Sequence, residues 1–230
     1  MPSVQLKSAL AEFLGTFTLV FVGAASVTIA PQFGVLAPAL GHGLILVGLI
    51  FTYGHISGAH FNPAVTLGLL VGSKFSLNRA VVYWIVQFAG AIVAALLLRL
   101  LLPNDPGLGQ TTGSLTSDAV WTASLFEAVL TFFLVTAVFQ AGVYGKAGRS
   151  VALAVGFTLA GAILAGGPYT GASLNPARTV GPALIGGGLN GDLGYVIPYL
   201  IGIFAGGAVA GLLHGLVLTP DDPKPAEPEL

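Results

Sequence analysis

The sequence predicts an all-α transmembrane fold, an inverted repeat with three membrane spans and one re-entrant half-helix in each half. Three observations carry this prediction. Only 7% of the 230 residues are charged, against about 25% in a soluble domain, and mean hydropathy is +0.90. Six apolar stretches reach the roughly 20 residues that a lipid core demands. Two shorter apolar stretches begin with the same tripeptide, Asn62, Pro63, Ala64 and Asn175, Pro176, Ala177, and each lies between full-length spans.

The elements follow in chain order. Spans are expected over 9–30, 37–56, 80–102, 120–140, 149–167 and 194–217. The first is longer than the apolar core of a secretion signal and further spans follow it, so it is expected to remain in the mature protein. Half-helices are expected over 63–71 and 176–185, because Asn is a good N-cap and Pro suits the first helical turn. A helix that starts inside the membrane leaves backbone groups that only protein or a water-filled cavity can satisfy. Two such starts imply a path through the bilayer. In the last span Gly202 and Gly206 form a small-xxx-small pair, and Gly207, Gly211 and Gly215 continue the spacing, a pattern suited to close helix crossing.

The segments AEFLGTF at 11–17 and FEAVLTF at 126–132 open two repeats, about 8–102 and 120–217. Three spans per half is an odd number, so the halves face opposite ways and their half-helices enter from opposite faces. A single transmembrane channel domain is expected over 1–218, with 219–230 a disordered, proline-rich acidic cytoplasmic tail. Lys7, Lys74, Arg79, Lys146 and Arg149 fall on the same side of this arrangement as both termini, which makes that side cytoplasmic by the positive-inside rule. Arg99, near the outer end of the third span, opposes it.

Several function classes drop out. The 8 basic and 9 acidic residues offer no patch for nucleic acid. The absence of cysteine excludes disulfides and thiolate metal sites. His42, His55, His60 and His214 form no tight ligand cluster in sequence, and no nucleophile–base group suggests an enzyme. Neither metal nor cofactor is expected.

The expected site is built from a few polar residues at membrane depth. Asn62 and Asn175 cap their half-helices and still point an amide N–H into the lumen, where two positive helix ends face each other. Such a site attracts a water or carbonyl oxygen and repels a cation. Arg178 has five donors and is too costly at this depth unless it lines a cavity or pairs. It is expected near the outer mouth, holding a passing water, tying down the extended segment 166–174, or both. Glu12 and Glu127, deep within spans, are expected to accept hydrogen bonds from the irregular segment before each half-helix; a proton relay is the alternative. His55 and His60 are expected to hold their turn by hydrogen bonds, and Gln87 to bond across helices. His214 has no face that the sequence assigns.

SGAHFNPAVT at 57–66 and TGASLNPARTVGPAL at 170–184 resemble the signatures of the aquaporin, or major intrinsic protein, family. The likeness extends over roughly 8–217, through AEFLGTF, the Tyr83, Gln87, Gly90 pattern and the Tyr195, Pro198, Gly202 pattern. It implies a right-handed bundle of six helices and two half-helices, assembled as a homotetramer with one pore per subunit; the cell membrane is the expected location. It also implies a four-residue filter outward of the two motifs, which falls on His42, Ile163, Ala172 and Arg178. Water-selective members have Phe and His at the first two positions, and glycerol-conducting members usually have Asp where this chain has Thr179. The set His, Ile, Ala, Arg is similar to that of some plant vacuolar members. The resemblance therefore implies passive conduction of water and other small neutral solutes, with ammonia or urea as an alternative main cargo. The connection over 103–119 has no His, unlike vacuolar members in which a His there joins the filter.

Overall fold

Backbone inside lipid must satisfy its own hydrogen bonds, and the apolar stretches accordingly become helix. The computed structural model describes residues 3–186 and 193–221. Its helices are α1 (Val4–Thr28), α2 (Ala30–Phe33), α3 (Leu36–Ser57), α4 (Pro63–Val71), α5 (Leu77–Leu101), α6 (Ser114–Asp118), α7 (Val120–Ala137), α8 (Val151–Thr170), α9 (Pro176–Gly186) and α10 (Val196–Leu212). Wider π-helical turns extend α7 over Val138–Val143 and α10 over Leu213–Val217. Six helices, namely α1, α3, α5, α7, α8 and α10, are long and apolar enough to cross a membrane. They and the half-helices α4 and α9 lie within a few residues of their expected positions, α1 beginning five residues earlier, at Val4 instead of 9. The short connectors α2 and α6 are not foreseen by hydropathy.

Each half is a three-helix sheaf: α1 packs on α3 and α5, and α7 on α8 and α10. The halves interlock, because α4 lies on α10 of the opposite half and α9 on α5. Along the central seam α3 meets α8 at Gly43 and Gly156. A β-carbon on Gly43 would stand 2.9 Å from the Gly156 carbonyl oxygen, and one on Gly156 would stand 2.7 Å from that of Gly43.

The glycines of α10 make the close helix crossing expected from their spacing, and they make it on two neighbours. Gly202 and Gly206 press on α7, where an added β-carbon would come 2.0 Å from the Ser124 and Ala128 carbonyl oxygens. Gly207 and Gly211 press on α4, at 2.7 Å from Ala64 O and 2.2 Å from Gly68 O. The step from 206 to 207 turns about 100° around a helix, so one run of small residues serves two neighbours. Large side chains face outward instead: Phe51, Ile85, Leu100, Trp121, Phe157 and Ile197 are each more than half exposed, while Glu12, Gln87 and Glu127 are fully buried. This inverted distribution suits a lipid surround.

Arg99 ties the far end of the bundle together. Its guanidinium donates to the carbonyls of Asp105 (2.8 Å) and Ile185 (3.3 Å), the latter near the end of α9. Of the expected tail, 222–230 lies outside the described residues. Thr219 is anchored, its hydroxyl donating to the carbonyls of His214 (3.1 Å) and Gly215 (2.9 Å).

Candidate functional site

α3 and α8 stop on glycines in the left-handed region, Gly58 (φ 86°) and Gly171 (φ 80°), a conformation open to glycine at little cost. The four-residue links that follow alternate. Ala59 (φ 52°), Phe61 (φ 50°), Ala172 (φ 44°) and Leu174 (φ 54°) are also left-handed, which L side chains resist. The compensation comes from a buried carboxylate under each link. Glu12 accepts from the backbone N–H of His60 (2.9 Å) and Phe61 (2.7 Å), from Ser57 Oγ (2.7 Å) and from Gln87 Nε2 (2.8 Å). Glu127 accepts from the backbone N–H of Ser173 (2.9 Å) and Leu174 (2.8 Å) and from Thr170 Oγ1 (2.7 Å). Neither carboxylate faces the lumen as a relay. Each accepts from the segment it supports, Glu12 from Gln87 of α5 as well.

So positioned, the links present Asn62 and Asn175 to each other. Each Oδ1 caps its own half-helix, accepting from Ala64 N–H at 2.8 Å and from Ala177 N–H at 3.0 Å. Each Nδ2 crosses to the other half: Asn62 donates to Leu174 O (2.8 Å) and Asn175 to Phe61 O (2.9 Å). An amide has two N–H groups, so one locks the halves together and the second stays free where the residue borders the cavity. Pro63 and Pro176 start the half-helices, and Ala64 and Ala177 are fully buried behind the asparagines.

Arg178 is 2% exposed and its Nε donates to His42 Nε2 at 3.1 Å. A guanidinium only donates, so His42 Nε2 must accept and its proton sits on Nδ1, which is 2.8 Å from Pro38 O. Arg178 Nη1 and Nη2 are buried and have no hydrogen-bond partner among the described residues. A narrow cavity runs along this surface, with about 30 Å³ in which the centre of a water molecule fits. His42, Arg178, Asn62, Asn175, His60 and Ser173 supply its polar groups, and Leu19, Leu46, Val65, Leu134 and Leu159 its apolar wall. At one end it shares Ala59, His60, Val138 and Val155 with a wide vestibule of about 870 Å³. Lys74, Arg79, Arg149 and His55 border that vestibule.

The expected residues do not all converge. Ile163 and Ala172 are 1% and 3% exposed in an apolar cluster with Phe61, Leu130 and Leu174, and are not among the residues bordering the narrow cavity. His60 holds the turn through Thr66 Oγ1 (3.0 Å) and packs on Phe75 and Tyr83. His214 is buried between α7 and α10, with Gln140 Nε2 at 2.9 Å from its Nδ1 and Thr136 Oγ1 at 3.0 Å from its Nε2. Gln87 bonds Thr66 Oγ1 (3.1 Å) as well as Glu12.

Sequence reasoning missed other parts of the support. Tyr83 Oη donates to Ser57 O (2.7 Å) and Tyr199 Oη to Thr170 O (3.0 Å), pinning both helix ends alike. Gly23 makes room for His42, since a β-carbon there would lie 2.2 Å from His42 Nε2. For the tyrosines the signal was a constant offset of 116 residues, which maps Tyr83 onto Tyr199, beside the offset of 113 that maps Ser57, Gly58, Asn62 and Thr66 onto Thr170, Gly171, Asn175 and Thr179; Gly23 had no such signal. Among the described residues no group of His, Asp and Glu could hold a metal ion.

Comparison with known proteins agrees with this architecture. The family described as major intrinsic protein matches residues 2–214. A probable aquaporin TIP3-2 of Arabidopsis thaliana is 36% identical over 238 residues, covering 96% of this chain and 87% of that protein. Aquaporin TIP3-2 of Zea mays is 40% identical over 231 residues, covering 94% and 84%. The X-ray structure of the aquaglyceroporin from Plasmodium falciparum superposes with a TM-score of 0.81 at 25% identity, covering 94% of this chain and 98% of that one. With a family match over nearly its whole length, the inverted half-helices and the paired Asn-Pro-Ala starts, the chain belongs to the major intrinsic protein family.

Proposed function

We propose that the protein is a passive channel for water and other small neutral solutes that excludes protons and ions. The observation that carries this reading is the crossed pair of Asn62 and Asn175 beside a cavity of water width. Two helix N-termini converge there, and their positive ends oppose a cation. The apolar wall keeps a passing water from binding tightly, while the free N–H groups of Asn62, Asn175 and Arg178 take its oxygen in turn. His42, Ile163, Ala172 and Arg178 are proposed as the filter: His42 and Arg178 by direct contact with the solute, Ile163 and Ala172 by setting the space around them. No bond is made or broken. Vesicles carrying the protein should shrink faster than empty ones after an osmotic step and stay tight to protons. A rate equal to that of empty vesicles would overturn the proposal.

Ammonia or urea as the main cargo is a second reading, favoured by His42 with Ile163 where a water-selective filter has Phe with His. Fluxes of water, ammonia, urea and peroxide on the same vesicles distinguish the two. The resemblance also supports a homotetramer, and the cell membrane is proposed as its location. The cations Lys7, Lys74, Arg79, Lys146 and Arg149 support cytoplasmic termini.

A further inference from the structure

The wide vestibule differs from the narrow cavity in its charge. Lys74, Arg79 and Arg149 border it, and no carboxylate among the described residues does. Glu12 and Glu127 are committed to the links, and Asp105 accepts from the backbone N–H of Gly107 and Leu108 at the Arg99 end. α5 and α8 begin beside the vestibule, at Leu77 and Val151, with no side-chain cap and no acid in the first turn. Their ends therefore add to the positive potential instead of offsetting it. Orientation in a bilayer requires positive charge on one side, but not its convergence on a cavity. Lys7 and Lys146 serve orientation without bordering the vestibule.

Rings, in place of acids, position two of these cations. The Arg79 guanidinium stands 4.6 Å from the Phe75 ring centre and 5.8 Å from that of Tyr83, and Lys74 Nζ stands 5.4 Å from that of Tyr144. A ring face attracts a cation without using its N–H donors. Arg79 gives one N–H to Tyr83 Oη at 3.4 Å, and a guanidinium has five. Its other donors stay available on a side chain already held in place. At about 870 Å³ the vestibule has the size of a small-molecule site. The guanidinium fork matches the paired oxygens of a phosphate.

We propose that the vestibule is a binding site for an anion carrying two or more phosphate groups, held by Arg79 and Arg149 with Lys74, and that an occupant filling it slows flux through the pore. A soluble polyphosphate and the phosphorylated headgroup of a lipid share this chemistry. Phe75 and Tyr83, on which Arg79 stacks, pack on His60 with ring centres 4.7 and 5.0 Å away. His60 borders both cavities, so an anion on Arg79 lies close to the inner end of the narrow one. The flux consequence rests on the proposed water pathway; the binding does not.

Calorimetric titration of the full chain in detergent with inorganic pyrophosphate tests the site. Binding should be saturable and should weaken with salt, because exposed charges are screened over about 8 Å at physiological ionic strength. Arg149→Gln, at an exposed position, should weaken it about tenfold, the loss expected for a charge-assisted hydrogen bond. Arg79→Gln should do the same, and Lys146→Gln should leave the affinity unchanged. Absence of saturable binding, or equal weakening by Lys146→Gln, would overturn the site. In phosphatidylcholine vesicles, inositol hexakisphosphate on both faces at its dissociation constant fills half the sites, so osmotic permeability should fall up to twofold in the full chain and not in Arg149→Gln. The same fall on adding phosphatidylinositol bisphosphate to the bilayer, without soluble anion, would identify a lipid source; a fall with the soluble anion alone would identify a soluble one. Binding that leaves flux unchanged would overturn the effect on the pore. Equal flux in full-chain and empty vesicles with binding intact would instead count against the water pathway alone.

Discussion

At the scale of single residues the proposed filter depends on how Arg178 is held. His42 Nε2 fixes Arg178 Nε, Pro38 O fixes the His42 tautomer, and Gly23 leaves the space in which the imidazole lies. Gly23→Ala should displace His42 and with it the guanidinium. If the new position raises the barrier by ~1.4 kcal/mol, water flux falls about tenfold, and unchanged flux in osmotic shrinkage would show that His42 does not set the aperture. Replacing His42→Phe together with Ile163→His tests the filter directly. An aromatic wall and a second donor should narrow the passage for larger solutes, so urea and ammonia fluxes should drop about tenfold relative to water for each ~1.4 kcal/mol added to their barrier. Relative fluxes that do not change would remove these positions from the filter. Arg178, Asn62 and Asn175 were legible in the sequence because each is a polar group that lipid would penalise, next to a helix start. Gly23 was not legible. Its role depends on a side chain nineteen residues away that only the packed structure brings against it.

At the scale of elements the re-entrant links are stable because each left-handed turn is held by a carboxylate. The two halves do this unequally. An offset of 116 residues maps Tyr83 onto Tyr199 and Gly90 onto Gly206, but Gln87 onto Ile203. Glu12 therefore binds four donors and Glu127 three. A buried donor left unpaired costs about 1–3 kcal/mol. Glu12→Ala should accordingly destabilise the protein more than Glu127→Ala, each losing at least about 2 kcal/mol through the two backbone N–H groups left unpaired. Thermal unfolding in detergent measures the order, and a larger loss at Glu127 would contradict this account. The spans and half-helices could be read from hydropathy and the Asn-Pro starts, since lipid sets their length and the cap sets their beginning. The π-helical turns at Val138–Val143 and Leu213–Val217 could not. There His214 meets Gln140 and Thr136 across two helices, a contact that no local pattern encodes. The glycine spacing in α10 foretold close crossing but not its two partners, because spacing along one helix does not say how many neighbours it meets.

At the scale of the molecule the inverted repeat makes the two ends of the bundle chemically different although the halves share a fold. Lys74, Arg79 and Arg149 gather at the vestibule, while the opposite end carries Arg99, whose donors go to the Asp105 and Ile185 carbonyls. An arginine occupied in this way serves packing, whereas Lys7, Lys74, Arg79, Lys146 and Arg149 are proposed to lie on the vestibule side. In the proposed orientation, which the positive-inside rule supports, the vestibule faces the cytoplasm and the Arg178 end faces outward. The absence of native cysteine makes this easy to check with single introduced cysteines. At Lys146 and Gln110, on connections at opposite ends of the bundle, Lys146→Cys should resist a membrane-impermeant thiol reagent in intact cells and react once the membrane is opened. Gln110→Cys, which also loses its bond with Tyr195 Oη (3.1 Å), should react in both states. The reverse pattern would invert the topology, placing the basic vestibule outside. Electrostatics would then have to be replaced as the orienting force, because five cations on the translocated side oppose insertion at about 2.3 kcal/mol per charge for each 100 mV of membrane potential.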